Sequence, residues 1–439
     1  MASPVTDLAA LDPLAPVLPP AGVRACRLAE IASAVAASAG GRVDVAGLRG
    51  SASAAASGAV ANAGRRLVVV AHDAEGARRL AEDLAFFTKE DVLVLADEET
   101  SPYAQVNPDR RAAMARMATL SRLACSPKPP RVLVTTATGL ARKVVPRSVV
   151  RTHTHRIVAE DGLDRDWLIA RLAETGYIRV PLVEDPGSFA VRGALLDVWP
   201  PNEIDPVRVE LYGDLVVSIK PFDAMDQKTR KDAALAEVLI APVREAILAR
   251  EYVARARDRI TQLADAIDMP TLKARALVDD VTSGRAFFGA DAYVPAFYDK
   301  MESLFSYIVD DAVVVLDDPP AIVSTLREAL GRARSDVATE ERTPHFLVTT
   351  FFEDEDEVTA RLEKKRVVAL HRTAAMGETA SGLDAYQVVP AGREPLDVAA
   401  RDHEDLARAV KTARTTKGRP GVSVSKPITL SEGFEVRYR

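Results

Sequence analysis

The sequence predicts an α/β protein: a parallel-sheet domain interrupted by a small antiparallel α+β insert. Three observations carry this. Residues 21–150 alternate short, continuously apolar runs with helix-spaced stretches, the rhythm of a parallel sheet covered by helices. After His155 the rhythm gives way to short strands separated by turn residues. At Ala312–Asp318 the apolar run followed by a helix returns. The 439 residues are 48% apolar and 27% charged, enough for roughly three domains of about 150 residues each and unlike a disordered or fibrous chain.

In order along the first part, Arg27–Ala37 has helical spacing through Leu28, Ile31 and Val35, and Ser51–Ala63 is Ala-rich and helix-compatible. Leu67–Ala71 is a strand of the doubly buried parallel kind. Helix, strand, helix and strand follow at Ala74–Phe87, Val92–Leu95, Asp109–Cys125 and Val132–Val134. In the insert, a helix over Asp164–Thr175 leads into strands at Phe189–Val191, Ala194–Trp199, Val207–Tyr212 and Leu215–Ile219. Asp185-Pro186-Gly187-Ser188 and Pro200-Pro201-Asn202 are turns, because proline presets φ and glycine supplies positive φ. Gly213-Asp214 closes a tight hairpin. The second α/β signal comprises a helical stretch over Val243–Ile267, a strand at Ala312–Leu316 ending in Asp317 and Asp318, a helix over Ile322–Ala333, and strands at Phe346–Thr349 and Val367–Leu370. The expected organisation is a flexible leader (1–24), the first part of the α/β domain (25–150), the insert (151–242), the resumed α/β part (243–390) and a segment without clear pattern (391–439).

Composition excludes several classes. A formal charge of -6 provides no global basic field for a polyanion. Two cysteines, Cys26 and Cys125, are too few for a disulfide scaffold or a four-thiolate zinc site. No apolar run approaches the ~18 residues that span a bilayer. The first twenty residues carry Asp7, Asp12 and four prolines after Leu11, unlike a signal peptide. A cytoplasmic monomer is the expectation.

A P-loop NTPase needs Gly-Lys-Ser/Thr where a strand meets a helix, so that backbone amides cradle phosphate and lysine neutralises its charge. None of the thirteen lysines follows a glycine. The nearest shape is a degenerate loop, Gly47-Leu48-Arg49-Gly50-Ser51, with alanine and serine in place of the lysine and the metal-binding hydroxyl. Asp317-Asp318-Pro319 resembles a degenerate Walker B strand end, and serves equally as the acidic start of the following helix. The six histidines show no ligand spacing; His153 and His155, two apart, fit one strand face but make no zinc site. Arg244, Arg250, Arg255, Arg257 and Arg259 read as one solvated helix with Glu245, Glu251 and Asp258. No metal and no catalytic residue is expected.

The insert offers a better candidate. Alternation in Val207–Tyr212 places Val207, Val209 and Leu211 on one face and Arg208, Glu210 and Tyr212 on the other. Arg192 points the same way if its strand pairs nearby. Arginine and tyrosine are enriched at protein-binding hot spots, although a plain solvated sheet face has the same look.

Gly176-Tyr177, Val183–Pro186 and Gly187–Pro200 resemble the inserted domain of the excision-repair protein UvrB, and more closely its relative, the bacterial transcription-repair coupling factor. Pro206–Asp214, Ser218-Ile219, Pro221-Phe222-Asp223 and Asp226–Thr229 continue that block, while Glu98–Tyr103, Arg131–Pro146 and Tyr307–Asp318 resemble flanking parts of the coupling factor. The resemblance implies a degenerate P-loop NTPase-like, helicase-type domain whose insert recruits UvrA, with Arg192, Arg208 and Tyr212 matching contacting positions; Glu210, on the same strand face, is expected to orient the two arginines. It implies no cofactor here, since ATP and magnesium belong to a motor domain elsewhere in the family; contacts with DNA and RNA polymerase likewise belong to other regions, a polymerase-binding domain among them. On this reading 391–439 is the truncated start of a further domain or an irregular tail. Two rivals remain, an ATP-dependent UvrB-like DNA helicase and a non-functional gene fragment.

Overall fold

The computed structural model describes residues 30–37, 41–48, 50–95, 100–107, 109–230, 233–339 and 343–372, together with strands at 24–26, 384–388, 427–429 and 435–437. The expected leader and most of 391–439 lie outside the described residues, as do Glu98 and Glu99. The chain divides into a unit spanning 19–387 and a second made of 1–18 with 388–439.

Within the first unit, strands β1 (Arg24–Cys26), β2 (Arg42–Ala46), β3 (Leu67–Ala71), β4 (Val92–Leu95) and β5 (Val132–Thr136) precede the insert. The insert carries β6 (His155–Val158), β7 (Ile178–Arg179), β8 (Ser188–Arg192), β9 (Leu195–Val198), β10 (Val207–Tyr212), β11 (Leu215–Pro221) and β12 (Glu237–Ile240). The chain then returns with β13 (Val313–Asp317), β14 (Arg366–His371) and β15 (Asp384–Val388).

One sheet has the order β1-β15-β2-β14-β13-β3-β5-β4. Its pairings from β15 through β4 are parallel. Strands β13 and β14 slot between β2 and β3, with Val313 beside Leu67 and Val367 beside Arg42. The segment from β6 to β12 is therefore an excursion from one sheet. Every residue of β3, β5 and β13 is buried, which is why these strands open with three or more consecutive apolar residues rather than alternating. Helices Ala74–Thr88 and Arg110–Cys125 flank the sheet, each started by an aspartate side chain, Asp73 or Asp109, that accepts from first-turn backbone N–H groups. In the second unit, Pro427–Thr429 pairs antiparallel with Glu435–Arg437.

Four expectations need correction. Phe346–Thr349 is no strand: Val348–Phe351 forms a helical turn, and Phe346 and Phe351 are buried in the main core. Burial of Phe346 and Phe351 against the main core outweighs the local strand propensity of this stretch. The helix expected over Val243–Ile267 is Arg250–Asp265. Val243 and Leu248 instead donate backbone N–H groups to the Thr175 and Glu174 carbonyls, so Arg244 and Glu245 lie outside the helix. The helix expected over Ile322–Ala333 runs Pro319–Thr339, with proline at a first-turn position that needs no N–H partner. His153 ends helix Arg147–His153 while His155 opens β6, so the two do not share a strand face.

Candidate partner-binding face

The insert's sheet has the order β11-β10-β9-β8-β7. Its apolar side packs Phe189, Leu196, Val207, Val209, Leu211 and Ile219 into a core with Leu168 and Leu172 of helix Arg165–Glu174, joined by Met114 of helix Arg110–Cys125. Gly213-Asp214 turns the β10–β11 hairpin, with Gly213 at φ 57°, a region an L-residue enters only with strain. Burial along β10 alternates as the sequence dictates: Val207, Val209 and Leu211 are inside, while Arg208, Glu210 and Tyr212 face outward.

Register decides which outward residues meet. Arg208 lies opposite Asp197 of β9 and Lys220 of β11; Glu210 lies opposite Leu195, which faces Arg192 of β8. Four residues singled out from sequence, Arg192, Arg208, Glu210 and Tyr212, thus come from one sheet face, but they are not equivalent. Asp197 sits at the centre with its side chain 1% exposed. It accepts from Arg192 Nη2, and from Arg208 Nε at 2.7 Å and Nη2 at 3.0 Å. Arg208 Nη1 donates to Thr229 Oγ1 at 2.9 Å and the Gln227 carbonyl at 3.2 Å. Its guanidinium lies 4.6 Å over the Phe222 ring, a favourable cation–π geometry. Those hydrogen bonds to Asp197 hold Arg208 above the ordinary arginine pKa, against the opposing effect of burial.

Arg208 is thus largely spoken for and only 16% exposed, whereas Arg192 is 39% exposed and keeps most of its five donors for a partner. Glu210, expected to orient the arginines, instead accepts from Ser218 Oγ at 3.2 Å, because the register sets Asp197, not Glu210, opposite Arg208. Tyr212 is 81% exposed beside Leu215 and Val217, which are also exposed. A register shift at Glu210/Leu211 makes Val217 the extra residue of a bulge and turns it outward. The face therefore offers a fixed guanidinium pair with an apolar tip. Asp197 and Lys220 were missed in the sequence reading. The signal for Asp197 was a carboxylate within the apolar run Leu195–Val198, a position that demands a cationic partner.

The nucleotide-loop candidates lie elsewhere. Gly47 (φ 85°) and Gly50 (φ 57°) connect β2 to helix Ala52–Asn62, and Ser51 at its start makes no side-chain capping bond. Asp317 ends β13 and is buried, with Asp318 at φ 68° beside it. Both face Arg372, whose Nη2 is 3.5 Å from Asp317 Oδ2 and whose Nε is 3.6 Å from Asp318 Oδ2. A guanidinium thus stands against the acidic pair. Among the described residues no cluster of His, Cys, Asp or Glu is arranged to hold a metal, and no helix is long and apolar enough to cross a membrane.

Residues 156–245 match the UvrB interaction domain. That match covers the β6–β12 excursion and so contains the arginine face. Over a longer stretch the chain resembles the N-terminal region of transcription-repair-coupling factors. The factor of Myxococcus xanthus is 39% identical over 282 residues, 61% of this chain and 23% of the relative. The Bacillus subtilis factor is 28% identical over 289 residues, 62% of this chain and 24% of its own length. The Escherichia coli factor is 29% identical over 252 residues, covering 57% and 21% respectively. The chain spans about a quarter of the length of these relatives.

Proposed function

We propose that the β8–β11 face docks UvrA, so that this chain acts as the UvrA-recruiting module of a transcription-repair coupling factor in excision repair. The observation that carries the reading is the Arg192–Asp197–Arg208 cluster inside the stretch that matches the UvrB interaction domain. Two arginines share one buried carboxylate, leaving a net positive charge on a rigid sheet for acidic groups of UvrA. Arg192 supplies the free donors, Arg208 holds Asp197 and the neighbouring loop in place, Glu210 with Ser218 borders the site, and Tyr212 adds exposed aromatic area of the kind that anchors interfaces. DNA and RNA polymerase are reached through regions outside this chain, and the module works as a monomer in the cytoplasm.

Calorimetric titration with UvrA tests this. Arg192→Ala should weaken binding by about 2 kcal/mol or more, and binding equal to the parent's would overturn the assignment. The module hydrolyses no nucleotide of its own: no lysine follows a glycine in the chain, and Arg372 stands against Asp317 and Asp318. Saturable ATP binding with turnover would favour the UvrB-like helicase reading instead.

A further inference from the structure

Between the parallel-sheet domain and the insert lies a cavity of about 280 Å³, bounded by helix Arg110–Cys125, the turn at Gly176, the segment 243–246 and the stretch 284–297. Its walls are partly apolar, through Val106, Val281 and Phe287, and partly cationic. Some of that charge is matched. Arg116 pairs with Glu245 at 2.6 Å, and Arg285 with Asp280 at 3.2 Å. Arg110 and Arg244 differ. Arg110 Nη2 donates to the carbonyls of Gly187 at 2.9 Å and Gly176 at 3.4 Å, and Arg244 Nη2 to the Gly284 carbonyl at 2.7 Å. Neither forms an ion pair with a carboxylate among the described residues.

The backbone makes way for both side chains. A Cβ at Gly176 would lie 2.7 Å from Arg244 Cδ, one at Gly284 would lie 2.2 Å from Arg244 Nη1, and one at Gly187 would lie 2.8 Å from Arg110 Nη2. All three glycines also have positive φ, so any side chain there would be strained as well as obstructive. Burial holds Arg244 below the ordinary arginine pKa, and the Arg110 charge pushes it the same way; Arg110 is itself exposed, and its partial burial is opposed by the Asp185 charge, which favours its ionised form. Arg142 also lines the cavity, and Arg110 and Arg244 add two like charges held by backbone carbonyls; an oxyanion relieves such a pair, and arginine forks fit phosphate and carboxylate oxygens bidentately. Of the acidic groups on the wall, Asp109 is engaged in capping its helix and Glu245 is paired, while burial and the Glu245 charge raise the Asp291 pKa against the opposing charges of Arg142 and Arg116.

We propose that this cavity binds a small organic oxyanion, a phosphate or carboxylate on an apolar body, gripped between Arg110 and Arg244. The volume is near the lower end of ordinary ligand pockets and exceeds the needs of a bare ion; the apolar wall receives the carbon portion. Because Arg110 belongs to the sheet domain and bonds carbonyls of the insert, the ligand would tie the two together.

The test is calorimetry and thermal melting of the full chain with phenyl phosphate and with benzoate, each against sodium chloride at equal ionic strength. Saturable binding and a raised melting temperature are expected with at least one probe. Binding of phenyl phosphate alone identifies a phosphate ligand, and binding of benzoate alone a carboxylate. Arg110→Gln and Arg244→Gln should each weaken binding at least tenfold, whereas Arg79→Gln, on an exposed helix face, should not. If Arg244→Gln does not fold, Arg110→Gln decides by itself. No saturable heat with either probe, or undiminished binding by Arg110→Gln, overturns the proposal.

Discussion

Replacing Asp197 with asparagine separates two accounts of the arginine face. The carboxylate is 1% exposed and receives three hydrogen bonds from two guanidiniums, two of them at 2.7 and 3.0 Å. Asparagine keeps one acceptor oxygen but turns an NH₂ donor toward arginine donors. A hydrogen bond to a charged group contributes about 1.5–3 kcal/mol net, and removing one partner of a fully buried ion pair costs about 3–5 kcal/mol. Arg192 is already 39% exposed and returns to water at little cost. Arg208, at 16%, keeps Thr229, Gln227 and the Phe222 ring. The balance is a loss of about 2–4 kcal/mol of insert stability, read as a lowered urea midpoint. The same variant should bind UvrA more weakly, because Arg192 is no longer aimed. An unchanged midpoint would refute the clamp, and tighter UvrA binding would mean that Asp197 had been withholding charge from the partner.

Tyr212→Ala should leave the urea midpoint within about 0.5 kcal/mol, since Tyr212 is 81% exposed, yet weaken UvrA binding by roughly 2 kcal/mol in calorimetry. Gly213→Val should destabilise the insert by about 1–2 kcal/mol or more, because a β-branched residue is strained at φ 57°; an unchanged melting temperature would contradict the turn geometry. Burial, with the charges of His153 and Arg171 adding to it, depresses His155 to about 4. Its folded pKa lies below the unfolded value near 6.5, so protonation favours unfolding. The stability this neutral histidine confers is complete above pH 6.5 and is lost as pH falls toward 4. Glu174, raised by burial, acts in the opposite sense above its unfolded value near 4.5. The check is therefore urea midpoints from pH 7 to 4 for the parent and His155→Phe, the parent falling more steeply.

The sequence alone determined whatever depends on neighbours along the chain. Continuous apolarity marked β3 and β13 as buried on both faces, and strict alternation placed Arg208, Glu210 and Tyr212 together. Gly213-Asp214 announced the hairpin, and the lack of Gly-Lys was visible without coordinates. These signals are legible because backbone period and turn sterics act over a few residues. Tertiary structure decided what depends on register and on available space. The apolar run at Phe346–Thr349 reads as a strand, yet it packs as a helical turn with Phe346 and Phe351 in the main core, and Arg244 reads as helical, yet Val243 bonds Thr175. Asp197 is 11 residues from Arg208, and Arg372 is 55 from Asp317; only strand pairing brings them together. Charge neutralisation in a protein interior is settled by distance in space, and no local pattern encodes that distance.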